Sequence, residues 1–423
     1  MLRHLSLLVA CAGLLGTCLA AAPQMCPHTV RQMNGREAVR DLRASFQIVT
    51  ESWRRVVAVP YIGYMPERDR VLMLVSCDYP HQAVVLWSDD RGATWSAPRF
   101  AHVDLSGRPD TGMGTGLTYL GGGRIWFAAG DKRWVSHDFG ETWRESQAVP
   151  PASNGRPWIE WDPLLVDRDR RTGKVLGLLS YCSDNLQPDG HFQGYVRFST
   201  DEGATWHGEI KVPEMSRVNE VAFVRARNRD IVAACRTDNP DRFAGEIDHF
   251  GGLAVSISKD DGRTWSKPNR LYEWGRHHPS MVLMRNGDMV MTYVVRRGYT
   301  DTKDGFLRFG VEAVVSRDNG RTWDLDHRYI LATWPSTIKG PNAWFPSSQA
   351  TSSVLLPDGS ILTAFGTGYR CNNPPDGKPS PRDVGLVRWR ANSRGLNADR
   401  AIREAPFDSA LRNVVDPGDT SVP

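Results

Sequence analysis

The sequence predicts an all-β protein, a six-bladed β-propeller of four-stranded antiparallel blades, and three observations lead to this fold class. The pattern Ser-x-Asp-x-Gly-x-Thr-Trp occurs five times, its tryptophans are 48, 63, 59 and 58 residues apart, and six apolar hairpin patterns alternate with it. Repeats of this size indicate units that bury their apolar strands only by packing together. A β-sandwich is the alternative, but it does not explain a tryptophan-bearing turn at a fixed place in each unit.

The five repeated turns are polar, and each follows a short β-rich run. They read SDDRGATW (88–95), SHDFGETW (136–143), STDEGATW (199–206), SKDDGRTW (258–265) and SRDNGRTW (316–323). Aspartate side chains close such turns by accepting backbone N–H bonds, glycine supplies the unusual φ, and tryptophan packs between units. We therefore expect a structural rather than a catalytic role for the five aspartates, Asp90, Asp138, Asp201, Asp260 and Asp318.

The six hairpin patterns each consist of an apolar run, a tight turn and a second apolar run. They cover residues 61–77, 117–130, 164–180, 221–235, 280–294 and 352–366. The last unit lacks the aspartate turn. We therefore expect its outer strand to come from the other end of the chain, which would close the ring.

The ends of the chain differ from the repeats. The predicted organisation is a signal peptide, an N-terminal lead-in, the propeller and an irregular C-terminal tail, at 1–21, 22–49, 50–392 and 393–423. A basic start, an apolar run and small residues before Ala22 are typical of a secretory signal, which predicts a secreted or periplasmic protein. A lipid anchor at Cys18 and an uncleaved membrane anchor are the alternatives, but the apolar run is short for a span.

Composition narrows the function classes. The formal charge is +4 over 423 residues and the basic residues are scattered, which does not favour nucleic-acid binding. Cleavage after the signal would leave five cysteines, an odd number, with no Cys-x-x-Cys pair and no zinc-like Cys/His spacing. We expect no metal, no cofactor, no membrane span and a monomer.

The glycines of the hairpin turns allow the six first strands to be aligned. Counting back from them gives equivalent positions at Ala58–Pro60, Gly114, Asp162 with Glu160 beside it, Glu220, His278 and Ala350. Carboxylates that face one cavity are what glycoside hydrolysis requires, one as acid and one as nucleophile or base. Their crowding would raise the pKa of one of them. We therefore predict Glu220 with Glu160 or Asp162 as the catalytic groups and His278 as a binding residue.

The repeated turns are identified as the Asp-box of the sialidase-like superfamily, and the resemblance covers roughly residues 50–390. It implies a six-bladed propeller whose Asp-boxes lie away from the substrate. The segment NEVAFVRARNRDIVAACR resembles the sialidase segment that carries a catalytic glutamate and, sixteen residues later, an arginine that holds the substrate carboxylate; Glu220 and Arg236 match these positions. Arg296 or Arg297 matches a second arginine more loosely.

Two positions depart from that family. Ala58 stands where sialidases carry the first-blade arginine, and Ala350 stands where they carry the tyrosine nucleophile. Arg54 or Arg55 and Tyr369 are the candidates to replace them. The acid of the family, an aspartate on an early-blade loop, corresponds to Asp78 or Asp110.

These observations predict a secreted exo-glycosidase that removes terminal sugars, sialic acid or another glycoside, from a glycan or small saccharide. The predicted substrate-binding residues are Arg236, His278, Arg296 and Tyr369. The paired carboxylates also resemble those of exo-acting arabinanases on the same propeller. A propeller that binds a carbohydrate or a protein without catalysis is the alternative. Aromatic residues near the first strands are candidates for stacking on sugars, namely Trp158, Trp161, Trp344 and Phe345.

Overall fold

A computed structural model describes residues 24–392 except 54, 56, 79, 148, 170, 185–189, 246–247, 298–305 and 369–381. The predicted signal peptide, the predicted tail and Tyr369 lie outside the described residues. In the described part the structure is almost entirely β. Its helices are four single turns of 3-10 helix at Pro66–Arg68, Asp241–Phe243, Asp248–Phe250 and Gly340–Asn342. None of these helices has the length or the apolar character needed to cross a membrane.

The strands are numbered in chain order. They are β1 (Cys26–Asn34), β2 (Glu37–Ile48), β3 (Val57–Met65), β4 (Arg70–Cys77), β5 (Gln82–Ser88), β6 (Arg99–Phe100), β7 (Thr115–Gly121), β8 (Arg124–Ala129), β9 (Lys132–Ser136), β10 (Arg144–Ser146), β11 (Leu165–Arg168), β12 (Val175–Asp184), β13 (Gln193–Ser199), β14 (His207–Ser216), β15 (Val218–Arg225), β16 (Ile231–Thr237), β17 (Gly252–Ser258), β18 (Asn269–Tyr272), β19 (Arg276–Leu283), β20 (Met289–Arg297), β21 (Arg308–Ser316), β22 (Tyr329–Pro335), β23 (Gln349–Leu355), β24 (Ile361–Thr367) and β25 (Asp383–Trp389).

The strands form a propeller-like fold of antiparallel sheets. Four sheets have four strands each, β3–β6, β7–β10, β11–β14 and β15–β18, in simple up-and-down order. The remaining strands form one sheet of nine in the order β19-β20-β21-β22-β1-β2-β25-β24-β23. Each of the six predicted hairpins is an antiparallel strand pair, which confirms this part of the sequence analysis.

The N-terminal strands complete the last part of the fold. Ser45 to Ile48 of β2 pair with Arg388 to Gly385 of β25, on the side of β25 away from β24. The outer strand next to β25 therefore comes from the N-terminal part of the chain, as predicted. The first strands of successive units lie next to one another in a ring, in the order β3, β7, β11, β15, β19, β23 and back to β3.

The apolar core lies between the sheets. All eight residues of β4 are buried, because both faces of the strand meet a neighbouring sheet. Met73 packs with Leu362 of β24 on one side, and Leu74 packs with Phe127 of β8 on the other. Burial of one such side chain contributes about 1.5–3 kcal/mol. The sequences of middle strands are therefore continuous apolar runs. The edge strand β10, in contrast, is exposed at all three residues.

The five aspartate turns share the same hydrogen bonds from serine and threonine to the aspartate. In the turn after β9, Asp138 accepts hydrogen bonds from Ser136 Oγ at 2.7 Å and from the Thr142 backbone N–H at 2.8 Å. Gly140 has φ 85°, and an added Cβ would lie 2.7 Å from Leu72, so no other residue fits there without strain. Trp143 is buried and donates from Nε1 to the Gly140 carbonyl at 3.1 Å. These contacts fit the structural role predicted for the aspartates.

Strand pairing separates the aspartate turns from the predicted site. In the sheet β15–β18, Val218 pairs with Thr237 at one end, and Ile231 pairs with Ser258 at the other. The turn that contains Asp260 follows Ser258, whereas Glu220 lies beside Val218. The other four turns follow the same end of their sheets.

Removing the turn aspartate should weaken the fold without affecting the far end of the sheets. Asp138→Ala loses the hydrogen bonds from Ser136 and Thr142 and should lower the free energy of unfolding by about 1–2 kcal/mol, as loss of a helix cap does. Burial alone would raise the pKa of Asp138, but hydrogen bonds from Thr142 lower it below its usual value. The contribution is therefore present above the unfolded-state pKa and is lost as pH falls through the lower folded-state pKa.

Urea unfolding at pH 7 and pH 3 checks this prediction. The exposed neighbour His137 gives the control, because His137→Ala should change stability by no more than about 0.5 kcal/mol. A loss that is equal in the two variants, or that does not shrink at pH 3, would contradict the structural role of Asp138.

Candidate functional site

The first strands of five units carry a β-bulge near their first end. The pairing register shifts between Ala58 and Tyr61, Thr115 and Thr118, Val218 and Val221, His277 and Ser280, and Gln349 and Thr351. The residues inside the bulges include Val59, Gly116, His278 and Ala350, all with positive φ. Bulges re-aim side chains and are common next to active sites.

The alignment made from the sequence agrees with most of these bulges. Glu220, His278 and Ala350, placed at equivalent positions, all lie inside them. In β7 the bulge contains Gly116, two residues beyond the predicted Gly114, because β7 and β8 are joined by a turn of only two residues, whereas the turns after β15, β19 and β23 have five. In the third unit Asp162 precedes β11 and lies in an irregular segment.

Glu220 lies in a compact buried cluster. It is 7% exposed, and its Oε1 and Oε2 accept hydrogen bonds from Arg236 Nη1 at 3.0 and 2.9 Å. His278 Nδ1 lies 3.2 Å from Glu220 Oε2, and His278 Nε2 lies 3.0 Å from Arg236 Nη1. A neutral imidazole with its proton on Nδ1 satisfies both contacts, since it donates to the carboxylate and accepts from the guanidinium. The cluster thus holds the carboxylate and the guanidinium in one fixed orientation.

Asp162 is the second carboxyl group of this cluster. Its Oδ2 accepts a hydrogen bond from the Val221 backbone N–H at 2.9 Å, which places it next to the strand that carries Glu220. Burial and, next, the charge of Glu220 raise the pKa of Asp162 to about 8, while the Val221 N–H and Arg236 act in the opposite direction. At neutral pH Asp162 is therefore protonated and able to donate a proton.

Tyr61 completes the buried part of the cluster, and the sequence analysis missed it. Its hydroxyl donates to the Trp161 carbonyl at 2.5 Å, and the side chain is 3% exposed. Burial, and then the nearby charges of Asp162 and Glu220, hold the pKa of Tyr61 well above its usual value. Tyr61 is thus a neutral hydrogen-bond donor. Tyr61 directly follows the bulge of β3, and a bulge changes which side chains of a strand face inward.

An open cavity of about 690 Å³ adjoins the cluster. Glu220 and Arg236 line it together with Trp161, which stays 37% exposed. An exposed tryptophan in a cavity that also has polar lining groups suits the apolar face of a sugar ring. The remaining lining residues include His191, Asp238 and Asp241, which the sequence analysis also missed because it considered only the first strands.

Glu160 has a different environment from Asp162. It is 4% exposed, its Oε2 accepts from Arg133 Nη2 at 2.7 Å, and its Oε1 accepts from Ser180 Oγ at 2.5 Å. Trp158 donates to the same Ser180 hydroxyl at 2.8 Å and is buried. Neither Glu160 nor Asp162 is among the residues that line the cavity, but Asp162 bonds to the strand that carries Glu220, whereas Glu160 does not. Its contacts are those of an internal ion pair.

Arg296 is held away from Glu220. Its Nε donates to the Ser348 carbonyl at 2.8 Å, and its Nη1 lies 3.4 Å from His249 Nδ1. Ala58 and Ala350 are buried small residues with no polar side chain. Trp344 and Phe345 are partly buried, and Trp344 packs edge-on against His249 at a ring distance of 4.6 Å.

The other candidates from the sequence, Arg55, Asp78 and Asp110, each pair with another side chain. Arg55 donates to Asp78 at 2.6 Å and lies 5.0 Å from the Phe100 ring of the outer strand β6. Asp110 pairs with His102 at 2.7 Å. Among the described residues no group of three or more His, Cys, Asp or Glu side chains could hold a metal ion.

Comparisons with known proteins support the fold. The BNR repeat-like domain family matches residues 126–324. A protein of unknown function from Dyadobacter fermentans is similar in structure with a TM-score of 0.57 and 15% identity, over 87% of this chain and 100% of that one. A mutant NanB sialidase from Streptococcus pneumoniae is similar with a TM-score of 0.50 and 14% identity, over 79% of this chain and 68% of that one.

A Hadza microbial sialidase is similar with a TM-score of 0.50 and 15% identity, over 79% of this chain and 66% of that one. No curated protein matches the sequence. At these identities the structural similarity establishes the fold. Residues 126–324 thus match the BNR repeat-like domain family, and the described residues have a propeller-like fold similar to that of the sialidases above.

Proposed function

We propose that this protein is a secreted or periplasmic glycoside hydrolase that removes a terminal sugar from a glycan. The observation that carries the proposal is the pair of neighbouring carboxyl groups, Asp162 and Glu220, of which Glu220 lines an open cavity with an exposed tryptophan. Burial and, next, the charge of Glu220 raise the pKa of Asp162, which is the arrangement that lets one carboxyl act as acid while the other acts as base or nucleophile.

In the proposed reaction Asp162 donates its proton to the glycosidic oxygen as the bond from that oxygen to the anomeric carbon breaks. Glu220 either attacks the anomeric carbon or takes a proton from the water that attacks it. In the first case water then displaces Glu220 from the anomeric carbon and gives a proton to Asp162; in the second case the water becomes the hydroxyl of the released sugar, Glu220 gives its proton to solvent, and Asp162 takes one from solvent. Arg236 and His278 hold Glu220 in place throughout. Trp161 supports the sugar ring.

We also infer that the propeller has six blades. The nine-stranded sheet then consists of two four-stranded blades, β19–β22 and β23–β25 with β2, that are joined through β1. The ring of six neighbouring first strands supports this count. The five aspartate turns are then Asp-boxes on five of the six blades.

A propeller that binds sugars without cleaving them is the second candidate. It is favoured by Ala58 and Ala350, which offer no guanidinium or hydroxyl at positions where sialidases carry catalytic residues. The raised pKa of Asp162 favours the enzyme, because a binding site has no need of a carboxylic acid that is protonated at pH 7.

The pH dependence of turnover separates the two candidates. If Asp162 is the acid, kcat should fall as pH rises through about 8, where Asp162 loses its proton. Asp162→Asn should lower kcat by about 10²–10⁴-fold and remove this basic limb. The loss should be smallest for aryl glycosides with acidic leaving groups, such as 2,4-dinitrophenyl glycosides, because these need little protonation. An unchanged basic limb in the variant would exclude Asp162 as the acid.

Stability provides a second readout for Asp162. Because its pKa is raised in the folded state, the folded protein holds a proton that the unfolded chain releases between pH about 4 and about 8. Asp162 therefore lowers the free energy of unfolding progressively as pH rises across this window. Thermal unfolding of Asp162→Asn should lack this fall, which makes the measurement independent of any substrate.

A further inference from the structure

A second set of polar residues lines the cavity beside the Glu220 cluster. His191 Nδ1 lies 3.1 Å from Asp238 Oδ2, and the same oxygen accepts from the Phe192 backbone N–H at 3.1 Å. Arg217 lies 2.6 Å from His191 Nε2 and donates to Asp241 at 2.7 Å. Side chains from two neighbouring sheets are thus tied together at the edge of the cavity, which gives this wall a defined geometry.

Carboxylates outnumber arginines among the described residues that line the cavity. Three are carboxylates, Glu220, Asp238 and Asp241, and one is an arginine, Arg236, while Arg217 behind the lining bonds to Asp241. A carboxylate accepts hydrogen bonds from sugar hydroxyls, whereas it repels a ligand carboxylate at the same distance. The lining therefore favours a ligand rich in hydroxyl groups and without a negative charge.

The arginines near the site are already engaged. Arg236 donates to both oxygens of Glu220 and contacts His278, so a ligand carboxylate would have to compete with a buried ion pair. Arg296 donates to the Ser348 carbonyl. The third position, Ala58, carries no charge. No bidentate guanidinium site for a ligand carboxylate is formed by these three positions.

We propose that the cavity binds a neutral sugar and excludes sugars that carry a carboxylate. Hydroxyls of the sugar donate to Asp238 and Glu220, and its apolar face stacks on Trp161. This inference rests on the proposed function of the same site and names the substrate class for it.

Matched neutral and anionic ligands test the proposal by binding alone. The neutral probes are the methyl glycosides of galactose, glucose and arabinofuranose. The anionic probes are the methyl glycosides of galacturonic acid and glucuronic acid, with free carboxylates, and a methyl sialoside. Binding is titrated by NMR and calorimetry. We expect at least one neutral glycoside to bind about tenfold or more tightly than every anionic probe. A uronide or sialoside that binds more tightly than all neutral glycosides, or a panel in which no neutral glycoside binds, would overturn the proposal.

A variant without two of the negative charges tests whether Asp238 and Asp241 cause the preference for neutral sugars. Asp238→Asn combined with Asp241→Asn should reduce the preference for the neutral ligand about tenfold, because two repelling charges are removed. Asp261→Asn, the same change in an exposed residue at the other end of the sheet, is the control and should leave the preference unchanged. An unchanged preference in the double variant would overturn the proposal that Asp238 and Asp241 exclude anionic sugars.

The result is separable from the proposed hydrolysis. If no glycoside is hydrolysed but the neutral preference and its dependence on Asp238 and Asp241 are found, the proposed function fails and the inference stands. If a sialoside is hydrolysed and Glu220→Gln abolishes that activity, the proposed function stands and the inference fails.

Discussion

Replacing Glu220 by glutamine should lower kcat/KM for the glycoside substrate by about 10²–10⁴-fold. Glutamine has the shape of glutamate and can keep one hydrogen bond from Arg236, but it has no charge and is neither a nucleophile nor a base. Unlike the loss in Asp162→Asn, the loss in Glu220→Gln should be similar for good and poor leaving groups. The measurement is the ratio of kcat/KM between variant and wild type across aryl glycosides of graded leaving-group pKa.

The same substitution should alter the titration of Asp162. The charge of Glu220 is one of the causes that raise the pKa of Asp162 to about 8, so its removal should lower that pKa. The basic limb of the residual activity should then move to lower pH. A limb that stays near pH 8, or a variant with wild-type turnover, would contradict the coupling of the two carboxyl groups.

Replacing Glu160 by alanine should have its main effect on stability. The substitution leaves the Arg133 guanidinium buried without its counter-charge, and such a loss costs about 3–5 kcal/mol. Glu160→Gln should be milder, because the amide can still accept from Arg133. Urea unfolding gives the stability, and kcat per folded molecule should stay within about twofold of wild type.

A double substitution separates the ion pair from any role in catalysis. Glu160→Leu with Arg133→Met removes both charges, and it should recover much of the stability lost in Glu160→Ala because a buried ion pair can be replaced by apolar side chains at little cost. Trp126 and Trp206, which flank the Arg133 guanidinium at 4.0 and 5.3 Å, provide an apolar setting for the methionine. A well-folded Glu160→Gln protein that loses hydrolysis by orders of magnitude would place Glu160 in the chemistry.

The different surroundings of Glu160 and Asp162 could not be predicted from the sequence. The alignment of the hairpin turns gave Asp162 with Glu160 beside it, so the two carboxyl groups were considered together as candidates. The segment before β11 is irregular, and the two side chains have separate surroundings: Glu160 pairs with Arg133 and Asp162 bonds to the Val221 N–H. No local pattern encodes this, because each partner lies in a different sheet.

The fold was far more accessible from the sequence than the site. The repeated turn needs Ser, Asp, Gly and Thr for local reasons that hold in all five turns, and Trp donates to the turn glycine in three of them, so the spacing of the turns predicts the units directly. The alignment of hairpin turns also placed Glu220 and His278 correctly, since both lie at the same bulge in neighbouring first strands. The equal spacing of the hairpin turns thus predicted the part of the site that lies at the bulges of the first strands.

The missed residues lie where periodicity gives no information. Tyr61 directly follows a bulge, which reverses the expected facing of the side chain. His191 and Asp238 lie on connections between second and third strands of neighbouring sheets, so only the packing of the two sheets brings them together. Arg296 was expected to bind the substrate because of its place at a strand end. Its Nε donates to the Ser348 carbonyl, and its role in binding stays a prediction.

The most direct test of the central claim is hydrolysis of a panel of chromogenic glycosides by the purified protein beside its Asp162→Asn and Glu220→Gln variants. The panel should include an arabinofuranoside, a galactoside, a glucoside and a sialoside. We expect turnover of at least one neutral glycoside, with a basic limb near pH 8 and losses of at least about 10²-fold in both variants. Turnover that survives in both variants, or no turnover across the panel, would contradict the assignment of Asp162 and Glu220 as the catalytic pair.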